Sequence, residues 1–195
     1  MIDILPLTGK DRHNALPALA RLRIDVFREW PYLYDGSLAY EEKYLAKFAA
    51  AGDALVVVAR DGDKIVGAST ASPLVGHADE FAQPFRDKGH DPARVFYFGE
   101  SVLLPEYRGQ GIGNAFFDAR EAHARESGAF DVAAFCAVIR DDDDPRKPDH
   151  YRKLDPFWQK RGFEKADGMV AHLEWSETGG KPDIPHDLQF WIKRL

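Results

Sequence analysis

The sequence predicts one mixed α/β domain spanning residues 1–195, and three observations predict it. Segments with strand character and segments with helical spacing both occur along the chain. Their order is not the regular strand–helix alternation of a doubly wound sheet. Two helices come early, three strands follow in near succession, and one strand–helix–strand crossover surrounds a glycine-rich turn. Finally, 195 residues with 45% hydrophobic content supply enough apolar surface for one sizeable core.

Ile2 to Leu7 alternates as a first strand, and Asp11 to Arg28 places Leu16, Leu19, Leu22, Ile24 and Phe27 on a helix. Glu29 to Ser37 is a turn-forming stretch loaded with aromatics, and Leu38 to Ala51 reads as a second helix. Ala54 to Ser72 reads as two strands joined at Asp61-Gly62-Asp63, a hairpin by its turn chemistry. His77 to Lys88 reads as a polar helix. Ala93 to Leu104 is rich in aromatic and β-branched residues, a strand that ends at Pro105. Ala115, Phe116, Ala119 and Ala122 fall at helical spacing as far as Ser127-Gly128. Phe130 to Ile139 is a further strand. Asp155 and Pro156 are expected to cap and start a short helix, and Val170 to Trp175 and Leu188 to Leu195 close the chain as strands.

Composition excludes several classes. The single cysteine, Cys136, rules out an intrachain disulfide. No basic leader precedes an apolar run and no window approaches membrane-spanning length, so a cytoplasmic protein without a membrane partner is expected. A formal charge of −6, from 32 acidic and 26 basic residues, argues against a nucleic-acid surface and suits a cationic substrate. The acidic run Asp141 to Asp144 lacks the glycine and distal glutamate of a calcium loop, and no metal is expected.

Gly109, Gly111 and Gly113 stand where a strand hands over to a helix. A helix that starts there offers unpaired N–H groups and the positive end of its dipole, and glycine lets a phosphate approach them. Three readings compete. The glycines could make a tight turn with no ligand. A dinucleotide fingerprint would need glycine where Asn114 stands and an acidic residue ending the next strand, whereas Asp131 precedes it. A Walker loop is excluded because no Gly-Lys-Ser/Thr follows.

In the third reading Arg108-Gly109-Gln110-Gly111-Ile112-Gly113 resembles the R/Q-x-x-G-x-G/A element of the GCN5-related N-acetyltransferase (GNAT) superfamily. Pro105 two residues after Leu103, the helix that follows, Phe157 to Phe163 as an aromatic-x-x-x-G-F segment, and the element order from Ile2 to Leu195 agree. The resemblance implies a twisted mixed sheet of about 6–7 strands with helices on both faces, whose fourth and fifth strands splay apart to admit the pantetheine of acetyl-CoA. Here those strands are Val95–Leu104 and Phe130–Ile139. Ser101, Val102 and Leu103 fall where pantetheine would be contacted, and the amides from Arg108 to Gly113 where the pyrophosphate would sit. Gly99 inside the fourth strand marks a bulge, a close backbone approach, or simply a small residue under a packed helix.

The implied activity is direct transfer of an acetyl group from acetyl-CoA to a primary amine of a small molecule or peptide in a ternary complex. The alternative is a catalytically silent acyl-CoA-binding or sensor domain. Glu100 is the candidate base, unless a one-residue register change turns it to solvent or to a lysine. Relatives often carry an acidic tyrosine where this chain has Trp158, whose indole cannot protonate a thiolate; Tyr151 is the first substitute and His150 the second. Cys136 reads as core. Trp30, Tyr32 and Tyr34 could cage a cation or pack the core edge, and Asp142 within its acidic run could attract an ammonium or face solvent. A homodimer is left open.

Overall fold

The computed structural model describes residues 1–179 and 182–195. Seven strands form one sheet: β1 (Ile2–Leu7), β2 (Leu55–Asp61), β3 (Lys64–Pro73), β4 (Val95–Leu103), β5 (Val132–Val138), β6 (Glu164–Trp175) and β7 (Ile184–Arg194). Their spatial order is β1-β2-β3-β4-β5-β7-β6, antiparallel throughout except for the β4–β5 pair. Among the described residues the α-helices are α1 (Asp11–Phe27), α2 (Leu38–Ala49), α3 (Asp79–Asp87), α4 (Ile112–Ser127) and α5 (Asp155–Lys160).

Alternation along the strands divides the core between the two sheet faces. On one face Leu55, Val57, Phe96 and Phe98 pack with Phe116 and Phe117 of α4, and with Phe157 and Trp158 of α5. On the other, Val56, Val58 and Val102 pack under Leu19, Leu22 and Leu45 of α1 and α2. On that second face too, Val95 and Tyr97 pack with Phe85 of α3. Buried Arg12 ties α1 to the end of α2, donating to the carbonyls of Ala49 (2.6 Å), Ala51 (2.8 Å) and Ala54 (2.7 Å). It satisfies orphan C-terminal carbonyls and complements the α2 dipole.

Four sequence expectations are corrected, the first being the last strand, which begins at Ile184 rather than Leu188. The fifth strand is shorter than Phe130–Ile139, because Asp131 turns out to meet Arg94 in a bidentate pair. The sixth begins at Glu164 rather than Val170, its register interrupted between Lys165 and Val170. Asp155 does not cap α5: Leu154 holds the N-cap position, and the Asp155 carboxylate pairs with Lys165 at 2.8 Å.

Candidate active site

β4 and β5 pair only at Val95↔Val132, Phe96↔Ala133 and Tyr97↔Ala134. Beyond Tyr97, β4 stays paired with β3 as far as Leu103, while β5 follows β7 as far as Val138. The strands part, and the β5-facing edge of β4 from Phe98 onward has no strand partner. Ser101 is exposed although β4 is the fourth of seven strands. Val102 is buried beneath α1 and α2, so it offers a ligand only its main chain. Leu103 is half-buried, and its carbonyl accepts from Arg108 Nε at 3.2 Å.

A bulge sets which way β4 faces. The register jumps from Ser69↔Ser101 to Ala71↔Phe98, so Gly99 and Glu100 together oppose Thr70. A Cβ on Gly99 would lie 2.5 Å from Thr70 Oγ1, and the Glu100 N–H donates to that same oxygen at 3.2 Å. Glycine is therefore required by close approach. The extra residue reverses the alternation. Tyr97 and Glu100 share the α1 face, while Phe98 and Ser101 share the α4 face.

The glycine loop lies at the open end of this gap. Gly109 and Gly111 have φ of +77° and +83°, and Cβ atoms built on them would meet nothing within 4 Å. The first bond into α4 runs from the Ala115 N–H to the Gly111 carbonyl at 3.2 Å, leaving the amides from Gly109 to Asn114 without a backbone acceptor, whereas the Arg108 amide, expected to join them, already donates to the Pro105 carbonyl at 3.1 Å. Ile112 is buried and anchors the turn. Gln110, Gly111, Ile112 and Ala115 line an open depression of about 340 Å³ with Ile2 and Ile4 of β1. Free amides, a helix dipole and bare Cα positions suit a pyrophosphate. Arg108 is held to one side by Glu29 at 2.9 Å, and Gly113, the second residue of α4, lies beside Phe157.

Glu100 is buried, and its Oε2 accepts from Arg23 Nη1 at 2.7 Å. Arg23 also donates through Nε to fully buried Glu41, which accepts from the Tyr34 hydroxyl at 2.8 Å. Burial pulls the Arg23 guanidinium down, but Glu100, Tyr44 and Glu41 outweigh it and hold it above its usual value. One cation thus serves two carboxylates. Glu100 Oε1 is buried with no partner among the described residues, which leaves an acceptor free for an ammonium or a water.

The aromatic stretch between α1 and α2 walls this side. Trp30 lies edge-on to Tyr151, ring centroids 6.2 Å apart, and under the Arg140 guanidinium. Arg140 donates to the carbonyls of Pro31 (2.6 Å) and Tyr32 (3.0 Å) and pairs with buried Glu177 at 2.6 Å. Trp175 Nε1 donates to the Tyr32 carbonyl at 3.1 Å. Burial, with Cys136 nearby, pushes the Tyr32 hydroxyl well above its usual value. Tyr34 is committed to Glu41.

Tyr151 is half-buried, its hydroxyl raised by burial and then by Asp155. His150 is exposed. Trp158 packs against Phe135 and Trp191 at 5.0 and 5.1 Å between centroids. Cys136 is buried, faces the Tyr97 hydroxyl at 3.0 Å, and is pushed up to about 12 by burial. In the acidic loop Asp142 pairs with Lys153 at 2.6 Å, and Asp144 is drawn down to about 2 by its bonds to Arg146. The buried arginines Arg23 and Arg120 and the half-buried Arg140 were not singled out from the sequence. No local pattern marks them, since each is defined by partners distant along the chain.

A twisted seven-stranded sheet that opens between two parallel central strands, with a glycine loop at the mouth, defines an acyl-CoA acyltransferase architecture. The profile of the Acetyltransferase (GNAT) family matches residues 19–163, and the chain belongs to that family. No curated protein matches by sequence. Solved structures share the fold over nearly the full length. A ribosomal-protein-alanine N-acetyltransferase from Brucella melitensis is 18% identical, with TM-score 0.61 over 98% of this chain and 99% of that one. An acetyltransferase from Streptococcus agalactiae is 15% identical, with TM-score 0.61 over 100% and 98%. Arabidopsis thaliana NAA60 in complex with acetyl-CoA is 13% identical, with TM-score 0.62 over 100% and 99%. Among the described residues, no helix is long and apolar enough to cross a membrane.

Proposed function

We propose that this acyltransferase carries an acetyl group from acetyl-CoA directly to a primary amine of a small molecule or peptide, both substrates being bound at once, in the cytoplasm. The parting of β4 and β5 beyond Tyr97 carries the reading, because it leaves a strand edge able to bond pantetheine amides. The loop from Arg108 to Gly113 suits the pyrophosphate on the same side. Capture of acetyl-CoA by Arabidopsis thaliana NAA60, which has the same fold, is consistent with it.

On the opposite face of β4 from Ser101, Glu100 takes the amine proton through Oε1, directly or through one water, while Arg23 holds Oε2. Arg23, Glu41 and Glu100 together carry one net negative charge, which favours an acceptor that arrives as an ammonium. Trp30, Tyr32 and Tyr151 supply aromatic faces for it. The test is calorimetry with acetyl-CoA, followed by a panel of primary amines that includes peptides with free N-termini. Binding without turnover of any amine favours the second reading, a silent acyl-CoA-binding domain. That reading draws on Trp158, which fills the usual acid position as core.

A further inference from the structure

Arg120 of α4 is 1% exposed, yet no carboxylate among the described residues forms an ion pair with it. Its guanidinium lies 4.3 Å from the Phe98 ring and 4.7 Å from the Phe117 ring. It donates to the carbonyls of Phe116 (3.1 Å), Thr70 (3.4 Å) and Glu100 (3.4 Å), and to Ser101 Oγ at 3.0 Å. Burying a cation without a counter-charge is costly, and an apolar side chain of similar volume would pack this position better. The charge sits at the β3–β4 bulge, bonded to the carbonyls of Thr70 and Glu100.

Ser101 gives that charge an outlet. Arginine has no acceptor, so a serine oxygen that accepts from it keeps its own O–H for another partner. Ser101 is exposed at the β4 edge that has no strand neighbour, and its hydroxyl is therefore available to whatever fills the gap. A donor backed by a buried cation favours an anion.

We propose that Arg120 and Ser101 form an anion-stabilising pair that acts on the sulfur of CoA as the acetyl group departs. The inference rests on acetyl-CoA lying in the β4–β5 gap. In the step it serves, the amine nitrogen donates its lone pair to the thioester carbon. The new C–N bond forms as the C–S bond breaks, with that electron pair passing to sulfur. The amine proton goes to Glu100 Oε1 or to water, and CoA leaves as a thiolate that is later protonated by solvent. A serine hydroxyl is too weak an acid to give the sulfur a proton. The pair supplies a hydrogen bond and a field instead, which explains how Trp158 can occupy the acid position. Ser101 is the group that touches the sulfur; Arg120 acts through it as a positioning residue.

The charged groups acting on Arg120 are Glu100 of β4, Glu121 of α4 and Arg161 after α5. Burial draws the guanidinium down to about 9, against the pull of Glu100, so it stays protonated at neutral pH.

The experiment titrates the thiol of CoA bound to the full chain, followed by thiolate absorbance. In the wild type that thiol is expected at least about one pH unit below that of CoA free in the same buffer. Arg120→Met should return it to the free value and lower kcat about tenfold or more, with the KM for acetyl-CoA changed only slightly. Ser101→Ala, at an exposed position, removes the contact itself and should shift the titration at least as far. A wild-type complex whose thiol titrates at the free value overturns the inference, as does an unchanged titration in Ser101→Ala and folded Arg120→Met. If Arg120→Met does not fold, the Ser101→Ala titration decides. If CoA does not bind the wild type at all, it is the acetyl-CoA reading that falls.

Discussion

Replacing Glu100 by glutamine separates its chemical role from its structural one. The amide oxygen can take the place of Oε2 and accept from Arg23 Nη1, now 2.7 Å away, while the amide NH₂ occupies the position of Oε1, which has no partner to lose. Arg23 remains paired with Glu41. Exchanging a charge-assisted bond for a neutral one costs about 1 kcal/mol, and removing a buried carboxylate returns part of it. The melting temperature should therefore move by no more than about 4 °C in a chain of this size. Glutamine cannot take a proton, so kcat should fall by about 10²- to 10⁴-fold with acetyl-CoA affinity spared. The assay is thiol release from acetyl-CoA at saturating amine across a pH series. The wild-type rate should exceed that of Glu100→Gln throughout the series, because only the carboxylate can take the amine proton. Near-normal turnover with an unchanged pH profile would refute the reasoning and leave Glu100 as a strut for Arg23.

Gly111→Ala should weaken acetyl-CoA binding at least tenfold, because a Cβ there meets no protein atom within 4 Å and would occupy the open space proposed for the pyrophosphate. The left-handed φ of +83° adds about 1 kcal/mol of strain to the folded chain, and unchanged affinity by calorimetry in a folded variant would remove the loop from the site. His77, whose ring bonds Ser72 at 2.8 Å, is drawn by burial from 6.5 to about 4. The unfolded chain then binds the extra proton first, so this stability is complete above pH 6.5 and is lost as pH falls toward 4. The loss is at most about 3 kcal/mol, and urea melts of His77→Phe should show a shallower slope across that window than the wild type. Cys136, buried and pushed up to about 12, should resist alkylation at pH 8 in the native state and react once the chain is denatured; rapid native labelling would contradict its burial.

Local patterns in this chain carried the element inventory. Alternation over Ile2–Leu7 and the handover from strand to helix at the glycines are properties of a few consecutive residues, and they reappear as β1 and as the β4–α4 turn. The same locality explains the misjudged cap. Asp155 has the right chemistry for an N-cap, but its carboxylate finds Lys165 across the turn into β6. The motif from Arg108 to Gly113 and the segment ending in Gly162-Phe163 were enough to suggest the family, since a loop's glycines are demanded by backbone conformation and can be read in place. The facing of Glu100 could not be read in that way. One extra residue at Gly99–Glu100 inverts every side chain beyond it, and that bulge exists because Gly99 lies against Thr70 on the neighbouring strand. The partners were equally hidden. Arg23 reaches Glu41 and Glu100 across 18 and 77 positions, and Arg120 reaches Thr70 across 50. The acidic loop looked like a bare negative patch until Lys153 and Arg146 were found against Asp142 and Asp144. Backbone preference is settled by neighbours along the chain. Charge, exposure and proton affinity at a site are settled by groups that meet only when the sheet closes, and that is where this protein's chemistry was decided.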